Sequence, residues 1–66
     1  MEAFCKRFKE LRLEKELKQS DFAKIMNLAP NTISSWERGN SSPDLNELKR
    51  IAQFFDVTAD YLLGLE

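Results

Sequence analysis

Apolar side chains recur along this chain at helical spacing, in short blocks separated by polar residues, glycine or proline. Phe4, Phe8 and Leu11 stand at i, i+4 and i+7, which predicts a first helix from about Ala3 to Lys15 with these three as its buried stripe. Leu17 leads into a second helix over about Gln19 to Met26 that buries Phe22, Ala23 and Met26. Asn27 follows at a position suited to a left-handed cap, and Leu28 packs from the turn. Pro30 fits the first turn of a third helix, where its missing N–H costs nothing and its φ is already helical, and Gly39 ends that helix. Asn40 to Pro43 is a polar loop. Asp44-Leu45-Asn46-Glu47 then has the Asp-x-x-Glu arrangement related to a capping box, opening a fourth helix whose apolar positions are Leu45, Leu48, Ile51, Ala52 and Phe55. Thr58 is suited to cap a short fifth helix through Tyr61, Leu62 and Leu63, ended by Gly64. The pattern predicts an all-α fold: five helices and no strand, in a single domain over residues 1–66 without repeat or linker.

The third helix carries the chemistry. Stepping about 100° per residue from Pro30 puts Ile33 and Trp36 on one side and Asn31, Ser34, Ser35 and Arg38 opposite. One face anchors and the other is open. The segment QSDFAKIMNLAPNTISSWER, Gln19 to Arg38, thus has the order helix, tight turn, helix, an arrangement whose usual partner is duplex DNA. Its outer amides, hydroxyls and guanidinium can hydrogen-bond base edges or phosphate oxygens in a major groove. A merely solvated polar face is the competing reading of the same residues.

Sixty-six residues make a small core, so good helix packing or oligomerisation should supplement burial. No apolar run approaches the length of a membrane span and no charged-then-apolar leader starts at Met1, so a soluble cytoplasmic protein is expected. The chain has one cysteine and no histidine, which gives neither an internal disulfide nor zinc-ligand spacing, and no metal or cofactor is expected. Cys5 reads as a small residue at the margin of the first helix's packed face. Without a histidine, a glycine-rich phosphate loop or a nucleophile beside a base, no catalytic constellation is visible. Ten Lys and Arg against eleven Asp and Glu give a formal charge of −1, which counts against a broadly basic nucleic-acid binder. Distribution matters more than the sum, because a small reader needs few cations near phosphates.

The blocks FKELRLEKELKQSDFAKIMNLAPNTISSWERG, PDLNELKRIAQFFDV and TADYLLG, in that order and spacing, cover nearly the whole chain. In them the chain resembles the lambda-repressor-like helix-turn-helix family, of the Cro/C1 or xenobiotic-response-element type. The resemblance implies a compact five-helix domain whose third helix enters the major groove, usually within a two-fold symmetric dimer. It places Asn31, Thr32 and Ser35 on the principal reading positions, with Ala29 and Pro30 at the helix entrance. Asn31 suits bidentate adenine recognition and Ala29 a thymine methyl, while Pro30 has no hydrogen bond to offer a base. Gln19 matches a glutamine that braces the recognition helix and reaches a phosphate. Lys18 stands at a cap position where the family tends to have Ser, Thr or Asn; its ammonium accepts nothing, so the capping contribution of about 1 kcal/mol is expected to be absent, in exchange for a cation toward the phosphate.

Arg12 and Glu37 match an arginine and a glutamate that pair between the first and third helices in this family. Arg12, Lys18 and Arg38 are also expected to be the chief phosphate-facing cations, giving a logarithmic salt slope of about −3 per protomer. Ser34 and the loop residues Asn40, Ser41 and Ser42 supply neutral phosphate or positioning contacts, where relatives often carry Lys or Arg. The family tends to place glycine where Glu16, Asn27 and Asp56 stand. Glu16 tolerates positive φ least, so the exit of the first helix is expected to differ from the family's.

The function expected from these residues is a sequence-specific, double-stranded-DNA-binding transcriptional regulator, a repressor acting as a homodimer on a palindromic operator. Phe54, Ala59 and Tyr61 are candidates for the dimer contact, each equally readable as core or scattered surface, and Leu13 and Phe54 are expected to be partly exposed. The alternative is a protein-binding module such as an antitoxin or antirepressor subunit with weak or no DNA binding, and a protein antagonist is a further candidate partner.

Overall fold

A computed structural model of the protein describes residues 2–66, among which there are five helices and no strand. They are α1 (Glu2–Glu14), α2 (Gln19–Met26), α3 (Pro30–Arg38), α4 (Leu45–Phe55) and α5 (Ala59–Leu63). The apolar spacing therefore predicts every helix, with α1 shifted by one residue at each end.

Phe8 sits where four of them meet. Its ring is fully buried and contacts Phe4 of α1 at 5.3 Å, Phe22 of α2 at 5.1 Å, Trp36 of α3 at 5.9 Å and Phe55 of α4 at 6.1 Å between centroids. The three contacts to other helices are edge-on, the orientation that sets a ring's positive edge against a neighbour's negative face. Ile33, Ile51 and Leu62 complete the buried centre, and Leu11, Leu17, Leu28, Val57 and Ala59 pack around it. Leu45, expected in the stripe of α4, is instead 85% exposed. It lies one turn before Leu48, at the start of the helix, and Pro43 is buried at that end.

Each helix ends by one device. The residue after the last turn takes a left-handed conformation at Glu16 (φ 56°), Asn27 (φ 60°), Gly39 (φ 78°), Asp56 (φ 55°) and Gly64 (φ 84°). The next N–H then reaches back five residues, from Leu17 to Arg12, Leu28 to Ala23, Asn40 to Ser35, Val57 to Ala52 and Leu65 to Asp60. This is the Schellman closure, and in three cases it drops a Leu or Val against the core. Glu16 thus corrects the expected departure at the end of α1, whose exit follows the other four. The bonds from Glu16 N–H to the Leu13 carbonyl and from Leu17 N–H to the Arg12 carbonyl, with the seating of Leu17, hold Glu16 in a region that costs an ordinary L residue about 1–2 kcal/mol. Gly64 answers a second demand, since a Cβ there would stand 2.7 Å from the Cβ of Ala3.

The helix starts differ. α4 has a reciprocal box, with Glu47 N–H donating to Asp44 Oδ1 at 2.7 Å and Asp44 N–H to Glu47 Oε1 at 2.8 Å. Thr58 Oγ1 accepts from Tyr61 N–H at the start of α5. At α2 the Lys18 N–H donates to Asp21 Oδ2, while the lysine ammonium has nothing to accept with. Ala29 gives α3 no side-chain cap. No helix among the described residues is long and apolar enough to cross a membrane.

Replacing Glu16 by glycine should remove the left-handed strain at the cost of a more flexible unfolded chain, leaving a net gain of about 0.5–1 kcal/mol. The expected readout is a higher urea midpoint with an unchanged slope. A lower midpoint would show that the Glu16 side chain contributes more than its backbone conformation costs.

Candidate nucleic-acid interface

The nine residues of α3 are held from inside and from one edge. Ile33 and Trp36 are buried at 0% and 1% exposure, which fixes the inner face. At the edge, the Glu37 carboxylate receives three N–H groups from two other helices. Arg12 of α1 donates from Nε to Oε2 at 2.6 Å and from its second terminal nitrogen to Oε1 at 2.9 Å, a two-point pairing of guanidinium with carboxylate. Gln19 of α2 donates from Nε2 to Oε1 at 3.1 Å. The remaining terminal nitrogen of Arg12 donates to the Leu17 carbonyl at 2.7 Å, so the same side chain also fastens the chain between α1 and α2.

Arg12 and Glu37 side chains are only 7% and 5% exposed. That burial removes Arg12 from the phosphate-facing cations among which it was expected. Its charge is enclosed with Glu37, and its donors point inward. Lys18 and Arg38 are exposed. Gln19 is half-buried with its amide on Glu37, the bracing half of the role expected of it.

The outer face is graded in exposure. Ala29, Pro30, Asn31 and Arg38 are exposed, while Thr32, Ser34 and Ser35 are half-buried. Arg38 donates to the Ser34 hydroxyl one turn earlier, and the Ser35 and Ser41 hydroxyls are hydrogen-bonded at 2.7 Å. Asn40, Ser41 and Ser42 are exposed in the loop that follows. No periodicity signalled the Ser35–Ser41 bond, because it crosses the helix end and depends on the turn at Gly39. A second contact that spacing left invisible is Arg7, which lies 4.4 Å from the Tyr61 ring centroid and donates to the Tyr61 and Glu66 carbonyls. Tyr61, under Arg7, and Ala59, packed against the core, are half-buried, and of the three candidates for a dimer contact Phe54 is the most open, at 36% exposure. Leu13 is 55% exposed. Cys5 is half-buried on α1, its Sγ 3.4 Å from where a Cβ on Gly39 would stand.

Charge is unevenly divided along the chain. Residues 1–38 carry eight Lys and Arg against six Asp and Glu, whereas residues 39–66 carry two against five. The half containing α2 and α3 is therefore net positive although the sum is −1. Among the described residues no group of His, Cys, Asp and Glu gathers as a metal site.

Glu37→Ala strands the buried Arg12 charge and should cost about 3–5 kcal/mol. A domain of this size has about 3–10 kcal/mol in total, so the single variant should lose about a third or more of its stability and unfold at a markedly lower temperature and urea concentration. Pairing it with Arg12→Met should recover most of the loss, as read by thermal and urea unfolding. A double variant no more stable than Glu37→Ala would show that the pair's hydrogen bonds, and not the stranded charge, dominate.

Residues 8–62 match the helix-turn-helix family. Among curated relatives, the HTH-type transcriptional activator BcrR of Enterococcus faecalis is 38% identical over 63 residues, 96% of this chain and 31% of that protein. The HTH-type transcriptional regulator ImmR of Bacillus subtilis strain 168 is 36% identical over 59 residues, 89% of this chain and 46% of that protein. The cryptic phage CTXphi transcriptional repressor RstR of Vibrio cholerae is 32% identical over 54 residues, 82% of this chain and 49% of that protein. The chain spans between about a third and a half of the length of these relatives. A helix anchored by Ile33, Trp36 and Glu37 behind an open polar face, together with a match over 8–62, makes this chain a member of the Cro/C1-type helix-turn-helix family.

Proposed function

We propose that this chain is the DNA-reading module of a transcriptional regulator, binding a palindromic operator in double-stranded DNA as a homodimer in the cytoplasm. The observation that carries the proposal is the division of α3. Its inner face and the Glu37 edge are locked to α1 and α2, while Asn31, Ser34, Ser35 and Arg38 are presented outward on a rigid support. A helix so held enters a major groove without further ordering, and its exposed amide suits an adenine edge. Relatives named as transcriptional regulators support the same reading.

Repression by occupancy is the mechanism the module supports most directly. It asks only for a reading face and a second copy, whereas activation also needs a contact to the transcription machinery. In this scheme Asn31, Thr32 and Ser35 face base edges, with Ala29 and Pro30 at the entrance. Lys18, Gln19, Ser34, Arg38 and the Asn40–Ser42 loop face the backbone. Phe54 is the leading contact to the second protomer.

Selection from a random duplex pool should enrich an inverted repeat with half-site centres about 10–10.5 base pairs apart. Asn31→Ala should lose about 1–3 kcal/mol of preference at one adenine per half-site and leave the other positions unchanged. No enrichment by folded protein would favour the protein-binding alternative.

With Arg12 withdrawn, the phosphate-facing cations are Lys18 and Arg38, so the logarithmic salt slope should be about −2 per protomer. Arg38→Gln should reduce it by about 1 per protomer across 50–200 mM salt. A wild-type slope of about −3 would show a third cation at the backbone.

A further inference from the structure

We infer that Ser41, in the loop after α3, is a specificity-determining positioning residue that sets whether Ser35 acts as donor or acceptor toward a base. This rests on the DNA-reading proposal and deepens it. The motivating contact is the 2.7 Å bond between the two hydroxyls, in which either oxygen can be the donor.

The loop is fastened at both ends, which makes this bond more than a chance meeting of surface hydroxyls. Asn40 N–H donates to the Ser35 carbonyl at 3.0 Å, and Gly39 N–H donates to the Trp36 carbonyl at 3.1 Å. At the far end Pro43 is buried and Asp44 is tied into the cap of α4. Ser35 therefore holds the loop through its backbone as well as its side chain.

A serine hydroxyl has one hydrogen and two acceptor lone pairs. A freely rotating serine on a recognition helix can serve either a base donor or a base acceptor, and so discriminates poorly. Ser35 is not free. Ser41 is exposed in the loop beside Ser35, and a helix about 10–12 Å across nearly fills a groove about 12 Å wide, so in the proposed complex a loop group flanking the helix would meet the phosphate wall. Phosphate oxygens only accept. The single Ser41 hydrogen then goes to phosphate, the Ser35 hydrogen goes to Ser41 Oγ, and Ser35 turns lone pairs toward the bases. The groups it can accept from are the amino groups of adenine and cytosine; guanine N7 and O6 offer it nothing. A neutral backbone contact is in this way converted into base selectivity one residue away.

The test is selection from a random duplex pool by the wild type and by Ser35→Ala, Ser41→Ala and Ser41→Thr, each first shown by thermal melting to be folded. The wild type should favour an amino-bearing base over guanine by about fivefold or more at one position per half-site. Ser35→Ala and Ser41→Ala should each bring that position to within about twofold, the double variant should go no further, and Ser41→Thr should retain the preference. A Ser41→Ala protein that binds all sequences more weakly with its motif intact would overturn the inference and leave the DNA reading standing, as would a wild-type preference for guanine there. Absence of any motif with the wild type would instead overturn both.

Discussion

None of these helices is long enough to hold itself together. The longest has 13 residues and α3 has nine, at or below the length at which an isolated helix is marginal even with favourable composition. Helical structure here is thus a product of packing, and packing converges on Phe8. One ring touching aromatic partners on α1, α2, α3 and α4 makes the position of each helix depend on the others. A core this small has little redundancy. The repeated Schellman closures serve the same end, because each turns the chain sharply while satisfying carbonyls that water would otherwise have to reach.

The inner face fixes how deep α3 lies, and the Glu37 edge fixes how it is turned. Dispersion and apolar burial are non-directional, so Ile33 and Trp36 alone would tolerate some rotation of the helix about its axis. The two-point bond to Arg12 and the third donor from Gln19 do not. Enclosing an ion pair gains little stability against a well-packed apolar substitute. Its value here is orientation: a rotation of α3 that moved Asn31 relative to α2 would have to strand a charge. The same enclosure takes Arg12 away from the surface, so the domain gives up an exposed cation to hold the outer face of α3 steady.

The fold was legible because its signals are local. Phe4, Phe8 and Leu11, the Asn27 and Gly39 stops, and the Asp44–Glu47 box are each written within a few residues, and together they predict five helices in the observed order. Leu45 fits the stripe of α4 by angle but sits beyond the core that would cover it, and angle says nothing about where a core ends. Glu16 shows the limit of side-chain preference: tertiary seating of Leu17 outweighs a cost of about 1–2 kcal/mol. At the candidate interface, residue types suggest a polar reading face, while Arg12 carries two incompatible expectations that only burial separates. The Ser35–Ser41 bond and the cover of Arg7 over Tyr61 join residues six and 54 apart with no shared periodicity, so nothing in the pattern pointed to them.

A net charge of −1 and short side chains on the outer face of α3 weigh against the proposed DNA reading, but the charge is unevenly divided along the chain. The positive excess lies in residues 1–18, residues 19–38 are balanced at two charges of each sign, and residues 39–66 carry two Lys and Arg against five Asp and Glu, so the negative sum comes from the last two helices and their flanks and not from the α2–α3 segment. In the proposed complex only Lys18 and Arg38 face the backbone, so non-specific attraction would be weak and a larger share of binding would fall to hydrogen bonds that report sequence. Asn31, Ser35 and Ser34 have few rotatable bonds, so a groove that meets them pays less entropy than it would to order long side chains. Short reach demands that the backbone come close and that each hydroxyl be aimed. In the proposed reading the locked edge of α3 serves the first condition, and the bonds from Arg38 to Ser34 and between Ser35 and Ser41 serve the second.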